Sequence, residues 1–293
     1  MFIATLIAPG TLAGGDISAA RDRLAAAGCA PGETTWVDDG YAADLRFDAA
    51  PEAARIALEG AVAATDIVVQ PALGRAKKLL IADMDSTMIT VECIDELADY
   101  AGIKPQIAEI TERAMRGELE FEAALDARVA LLAGLDDAVI EQCLRERVAI
   151  MPGAVALVRT MAARGALTIL VSGGFTRFAE PVAAAIGFDR AIANRLLVEN
   201  GALNGKVAKP IVGSATKLDT LLAARTERGL ADSETLAVGD GANDLAMIER
   251  AGLGVAYHAK PIVAAAAAAR VDHGDLTALL YAQGIARAEW VTG

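Results

Sequence analysis

The chain's second half is marked by short, wholly apolar runs that end in glycine or acidic residues. Leu79-Leu80-Ile81-Ala82, 167–171, 236–238 and 254–257 are apolar almost throughout, as expected of strands buried on both faces of a parallel sheet. A fifth strand is expected at 270–272. Helical stretches separate these runs, and such alternation builds an α/β fold, a Rossmann-like parallel sheet with helices on both faces. Between the first two strands lies a helical interruption from about 93 to 148, longer than one crossover requires. An insertion of that length at a strand tip is expected to form a helical cap or lid. Residues 262–270 include six consecutive alanines and predict a packed helix, since alanine has the highest helix propensity.

The first seventy-odd residues have a different rhythm. Strands are expected at 2–8, 34–37, 41–47 and 66–70, with helices at 17–27, stopped by Gly28, and at 52–64; Asp38-Asp39-Gly40 supplies a hairpin turn. The order βαββαβ is a ferredoxin-like α+β pattern. Residues 71–78, with Gly74 and three basic residues, read as a linker. The expected organisation is therefore a small module at 1–72 and a larger domain at 78–293, with its cap at about 93–148.

Composition narrows the classes. With 27 Lys and Arg against 39 Asp and Glu the net charge is −12, and no basic patch is evident, which argues against nucleic acid as a partner because counterion release needs clustered cations. The longest apolar runs are too short to cross a bilayer, and the apolar stretch 2–8 lacks a preceding basic region and meets Pro9-Gly10, so neither a membrane anchor nor a signal peptide is expected. Cys29, Cys93 and Cys143 form no CxxC pair; reduced thiols in a cytoplasmic protein are expected, without a disulfide framework or zinc site.

The chemistry gathers at strand ends, where an open α/β sheet places its ligands. Asp83-Met84-Asp85-Ser86-Thr87 follows the first apolar run, and Gly239-Asp240-Gly241-Ala242-Asn243-Asp244 follows 235–238. Four carboxylates at two strand tips suggest a hard metal ion and a phosphate. Ser172-Gly173-Gly174 after another strand and Lys217 at a helix start complete four separated signatures. Alone, Ser-Gly-Gly is a loop and Lys217 a surface lysine. In this order they resemble the haloacid dehalogenase-like phosphohydrolases and, within them, the phosphoserine phosphatases. The resemblance runs from about residue 78 to the carboxyl terminus. Residues 1–72 faintly resemble the amino-acid-sensing modules of ACT type, through Gly14-Gly15 in the first strand-to-helix connection, although a loop that simply needs glycine accounts for that pair.

Phosphoryl transfer needs positioning and charge neutralisation. Asp83 is the expected nucleophile, forming an aspartyl-phosphate. Asp85 is expected to protonate the departing hydroxyl and then accept a proton from the hydrolytic water, which requires a pKa above the usual ~3.9 for aspartate. Asp83, Asp240 and the Asp85 backbone carbonyl would hold Mg²⁺, an oxygen-seeking ion. The resemblance further implies that Asp244 supports the metal ligands from behind and that Asn243 touches phosphate; both residues are also good helix caps. Lys217 would face the phosphoryl charge, with Ser172 and the Gly173 amide donating to its oxygens.

The substrate should be read by the cap. Glu92 could accept the ammonium of an amino acid, and Arg128 has a planar fork suited to its carboxylate. The resemblance places Phe121 and Met115 in the same pocket; by default an arginine on a helix is solvated, and Phe121 and Met115 are core. Ala124 stands where serine is expected in many relatives. The partner implied is phosphoserine, cleaved to serine in the last step of serine biosynthesis, and a homodimer is left open. Rivals are phosphoryl transfer to a small alcohol such as homoserine, a sugar or glycerol phosphate as substrate, and a ligand-sensing protein that works through its amino-terminal module. His258 and His273 are the only histidines and have no nucleophile or HExxH spacing, so a histidine hydrolase or zinc enzyme is not expected.

Overall fold

The computed structural model describes residues 1–116 and 118–292, and of Met115 the backbone only. The chain opens with β1 (Phe2–Ile7), α1 (Gly14–Ala26), β2 (Pro31–Asp38), β3 (Ala42–Phe47), α2 (Pro51–Leu58) and β4 (Asp66–Pro71). These strands form one antiparallel sheet in the order β2-β3-β1-β4. Leu6, Leu45 and Ile67 are buried with Ile17, Leu24 and Leu58 of the two helices, so one face of the sheet has its own core. The opposite face sends Ile7, Ala42 and Val68 into the main core of the chain.

The second sheet begins with β5 (Leu79–Ala82), every residue of it buried. Then come four helices, α3 (Cys93–Tyr100), α4 (Lys104–Met115), α5 (Phe121–Leu131) and α6 (Ala138–Glu146), and after them α7 (Ala154–Ala163), β6 (Leu167–Phe175), α8 (Thr176–Ile186) and β7 (Arg190–Asn194). A hairpin of β8 (Leu196–Glu199) and β9 (Ala202–Val207) precedes α9 (Ser214–Glu227), β10 (Thr235–Gly239), α10 (Leu245–Arg250), β11 (Leu253–Tyr257), α11 (Pro261–Ala266), β12 (Ala269–Val271) and α12 (Ala278–Ala282). The parallel order is β12-β11-β10-β5-β6-β7. The chain therefore leaves β5 towards β6 and β7 on one side and later returns to fill β10, β11 and β12 on the other. Such a reversal opens a crevice at the carboxyl ends of the flanking strands, and Asp83 and Asp240 stand at that edge.

The cap, α3 to α6, leaves and returns through adjacent chain segments. Thr90 donates to the Ala149 carbonyl at 3.0 Å and Met151 to that of Met88 at 2.9 Å, with Ile89 opposite Ile150. The β8-β9 hairpin braces the cap through Gly134 N–H to Leu203 O at 2.8 Å and Leu203 N–H to Leu135 O at 2.8 Å. The amino-terminal sheet is fastened by Asp66, whose carboxylate accepts from the amides of Asp272, His273 and Gly274 at 2.8, 3.1 and 2.8 Å, and by Gln70, which donates to Ala282 O at 2.7 Å. The 71–78 connection is pinned as well: Lys77 Nζ donates to Gly74 O and Ser233 O, both at 2.8 Å.

Several expectations change. The alanine run is helical only to Ala266, and Ala269 already belongs to β12, parallel to β11. Pairing with the sheet overrides helix propensity there, because a methyl side chain fits either state. The second helix of the first module stops at Leu58 instead of continuing to 64. Ser172-Gly173-Gly174 lies inside β6, although its pairing with β7 is irregular between Val171 and Phe175; a bulge of this kind re-aims side chains beside a site. Among the described residues no helix is long and apolar enough to cross a membrane.

Candidate active site

A cavity of about 580 Å³ lies between the sheet edge and the cap. Asp83, Asp85, Ser172, Gly173, Asp240 and Asn243 line it from the core; Glu92, Phe121 and Arg128 line it from the cap. Ten of the residues singled out in the sequence bear on it: these nine, and Lys217 beneath them. Asp244 lies behind that floor. The twelfth, Met115, lies at the end of α4, and its side chain is outside the described residues.

Lys217, on the first turn of α9, is fully buried and sits 2.7 Å from Asp83 Oδ1 and 2.6 Å from Asp244 Oδ1. Burial alone would lower the ammonium's pKa, but the two carboxylates raise it well above its usual value, so it stays charged. Asp244 uses its other oxygen to accept from Gly241 N–H at 3.0 Å. It packs so tightly under β10 that a Cβ at Gly239 would stand 2.4 Å from its carboxyl carbon, so glycine is required there. Asp83, Asp240 and Asp244 each offer an oxygen within 4.8 Å of the others. This all-oxygen cluster suits a hard divalent cation such as Mg²⁺. Since both Asp244 oxygens are already engaged, Asp83 and Asp240 are the carboxylates better placed to hold it. Burial, then Asp83 and Glu92, pushes Asp240 up to about 6. Burial and Asp83 push Asp244 up to about 7 against the pull of Lys217.

Asp85 is placed differently. Its Oδ2 accepts the Cys93 amide at 3.4 Å, while its buried Oδ1 has no hydrogen-bond partner among the described residues. Burial, with Glu92 and Asp83 nearby, holds its pKa well above the usual carboxylate range. A carboxyl whose pKa is raised in this way is better suited than an ordinary aspartate to donate a proton to a leaving group.

Gly173 allows a close approach: a Cβ there would be 3.2 Å from Phe121 Cζ and 3.8 Å from Asn243 Nδ2. The cap's aromatic ring therefore rests on the irregular end of β6, beside Asn243. Ser172 Oγ accepts from Gly174 N–H at 2.8 Å, leaving its own proton free to donate. Glu92 is held by Ser86 Oγ–H at 2.6 Å, and burial raises its pKa. Arg128 is partly buried, its Nε donating to Ala124 O at 3.3 Å. Burial lowers its pKa, which Asp95 and Glu92 counter.

Sequence reasoning missed three contributors. Asn194 is buried and ties the end of β6 to the segment before α9, donating to Gly173 O at 2.9 Å and Val212 O at 3.1 Å while accepting from Val212 N–H at 2.7 Å. Nothing local marks it. Asp95 lines the cavity beside Arg128. Lys260 also lines the cavity, and its signal was its place just beyond a strand tip.

A parallel sheet with its switch point at β5, an inserted helical cap, and acids with a buried lysine at the strand ends define a hydrolase of the haloacid dehalogenase-like class. The model of the haloacid dehalogenase-like hydrolases matches residues 80–249, and the chain belongs to that family. It is 44% identical over 245 residues to a phosphoserine phosphatase of Streptomyces coelicolor, covering 84% of this chain and 58% of that protein. It is 46% identical over 202 residues to a phosphoserine phosphatase of Haemophilus influenzae, covering 69% and 64%. The chain thus spans about three fifths of the length of these relatives. A solved phospho-aspartyl intermediate analogue of phosphoserine phosphatase superposes with a TM-score of 0.65 at 37% identity, covering 70% of this chain and 98% of that one.

Proposed function

We propose that the chain hydrolyses O-phospho-L-serine to L-serine and phosphate through an aspartyl-phosphate on Asp83, the last step of serine biosynthesis, in the cytoplasm. The observation that carries this reading is one cavity lined by Asp83 and Asp85 from the core and by Glu92 and Arg128 from the cap. An acid for the substrate's ammonium and a guanidinium for its carboxylate face a phosphoryl-transfer end, a match to an amino-acid phosphate. The identity to named phosphoserine phosphatases supports it.

In this reading an Asp83 oxygen attacks phosphorus while the bond to the serine oxygen breaks. Asp85 gives that oxygen its proton. Water then attacks the phosphorus of the acyl phosphate and Asp85 takes the water's proton, freeing the Asp83 carboxylate. Ser172, the Gly173 amide, Asn243 and Lys217 hold the phosphoryl oxygens. Asp83 and Asp240, with the Asp85 carbonyl, would hold Mg²⁺, which supplies positive charge against the phosphoryl group; Asp244 steadies Lys217 behind them.

Phosphate release from phosphoserine, phosphothreonine and sugar phosphates, with Mg²⁺ present, tests the assignment. Phosphoserine should be strongly preferred. Asp83→Asn should abolish turnover and trapping by beryllofluoride, whereas Asp85→Asn should slow turnover and still permit some phosphoenzyme. Full activity of Asp83→Asn would overturn the mechanism, and equal activity on sugar phosphates the substrate.

A further inference from the structure

The cavity has a charge problem that the residues discussed so far do not solve. Asp83, Asp85, Glu92, Asp95 and Asp240 line it, and among the described residues Arg128 and Lys260 are the cations that do so. Lys217 is fully buried beneath the floor and already bound to two carboxylates. The chain as a whole carries −12. Mg²⁺ on Asp83 and Asp240 and a proton on Asp85 would relieve the floor, which leaves Glu92 and Asp95 on the cap side; a phosphomonoester dianion approaching that rim is repelled unless a cation stands where solvent can reach it.

Lys260 stands there. It follows β11 at the strand-tip edge, and its backbone is fixed: its amide donates to Asp240 O at 3.2 Å, and its carbonyl accepts from Val263 and Ala264 at 2.9 and 3.0 Å as α11 begins. His258 two residues earlier takes a left-handed φ of 42°, which bends the chain between the strand and that helix. The Lys260 side chain is exposed. Its charge reaches both Glu92 and Asp240, opposing the upward push that burial gives those acids. Arg128, in contrast, belongs to the cap and is partly buried, so it reads a substrate already inside.

We infer that Lys260 is the capture residue of the cavity, the solvent-facing cation that draws a phosphomonoester dianion past the acidic rim. This inference rests on the phosphomonoester part of the functional reading, not on phosphoserine as the substrate. Steering of this kind raises association by roughly 10- to 1,000-fold and weakens as salt shortens the Debye length to about 10 Å at 0.1 M. Lys260 forms no bond to the reacting atoms in this account and leaves kcat to other groups.

The experiment is steady-state kinetics of the wild-type, Lys260→Gln and Lys260→Arg proteins in Mg²⁺, on phosphoserine and on p-nitrophenyl phosphate, at about 20 and about 300 mM ionic strength. Lys260→Gln should lose about tenfold in kcat/KM at low salt with kcat within about twofold, the deficit should shrink at high salt, and Lys260→Arg should restore capture. Both substrates should show the effect, because both bring a dianionic phosphate. An unchanged kcat/KM at low salt, or a loss of equal size at both salt concentrations, would overturn the inference. If the wild-type enzyme ignores phosphoserine but its aryl phosphatase activity depends on Lys260 and salt as described, the substrate assignment fails and the capture role stands.

Discussion

Lys217 Nζ lies 2.7 Å from Asp83 Oδ1 with no solvent exposure of the lysine side chain. Asp83, the proposed nucleophile, is therefore held in place by a cation that Asp244 holds from the other side at 2.6 Å. Desolvating three charges is costly, and the geometry offsets that cost only while all three are present.

Removing the lysine should accordingly be severe. Lys217→Met leaves two buried carboxylates facing each other and should cost about 3–5 kcal/mol of stability, besides abolishing turnover. Urea unfolding measures it. Adding Asp244→Asn to Lys217→Met should recover part of the loss, since one uncompensated charge goes; no recovery would show that the methionine's shape is at fault.

The raised carboxyls fix a pH dependence. Asp240 and Asp244 titrate at about 6 and about 7 in the metal-free fold, against 3.8 as the ordinary value. Between about pH 4 and 7 the folded state then binds more protons at these sites than the unfolded state, so their contribution to stability falls as pH rises and the penalty is complete above about 7. A metal ion needs the carboxylates ionised. Mg²⁺ should therefore raise Tm more at about pH 7.5 than at about pH 5.5, and Asp240→Asn should flatten the difference. Equal Mg²⁺ stabilisation at both pH values would contradict this account.

The amino-terminal sheet offers a test away from the chemistry. Asp66 accepts three backbone amides from 272–274 and is almost fully buried. Asp66→Asn keeps the shape but turns one acceptor into a donor facing N–H groups, at about 1–3 kcal/mol. The 71–78 connection should become more sensitive to protease while kcat changes little. If proteolysis there is unaltered, the contact is not what holds the sheet down.

How much of this was legible in the sequence follows from what lies close along the chain. Asp83 to Thr87 and Gly239 to Asp244 are contiguous and follow apolar runs, so their meeting at one sheet edge could be read directly. The βαββαβ order of the first module was equally visible, because its alternation and turn residues are local. Asn194 was not: its two partners, Gly173 and Val212, come from separate segments, and only the folded chain shows that a single amide joins them. The β8-β9 hairpin does carry a local signal, the Asn200-Gly201 turn with both residues at positive φ, but nothing local tells that it braces the cap. The alanine run misled because its propensity favours helix whereas its final residue is claimed by pairing with β11. Lys260 is an ordinary lysine until the sheet order puts β11 beside β10 and brings it next to Asp240.

Specificity gives the most discriminating prediction, because it separates a substrate-reading cap from a merely structural one. Arg128 lines the cavity on the cap side, held through Nε to Ala124 O at 3.3 Å, and Glu92 lies across from the same substrate end, fixed by Ser86 at 2.6 Å. Losing a charge-assisted hydrogen bond costs about 1.5–3 kcal/mol, so Arg128→Ala should cut kcat/KM for phosphoserine roughly tenfold to more than a hundredfold. An aryl phosphate has no carboxylate for Arg128 to hold, so its hydrolysis should suffer much less. In the proposed mechanism both substrates depend on Asp83, Asp85 and the metal ligands, which makes the ratio of the two losses independent of damage to the chemistry. Equal losses would mean that Arg128 supports the cap rather than reading the amino acid, and the case for phosphoserine would then rest on resemblance alone.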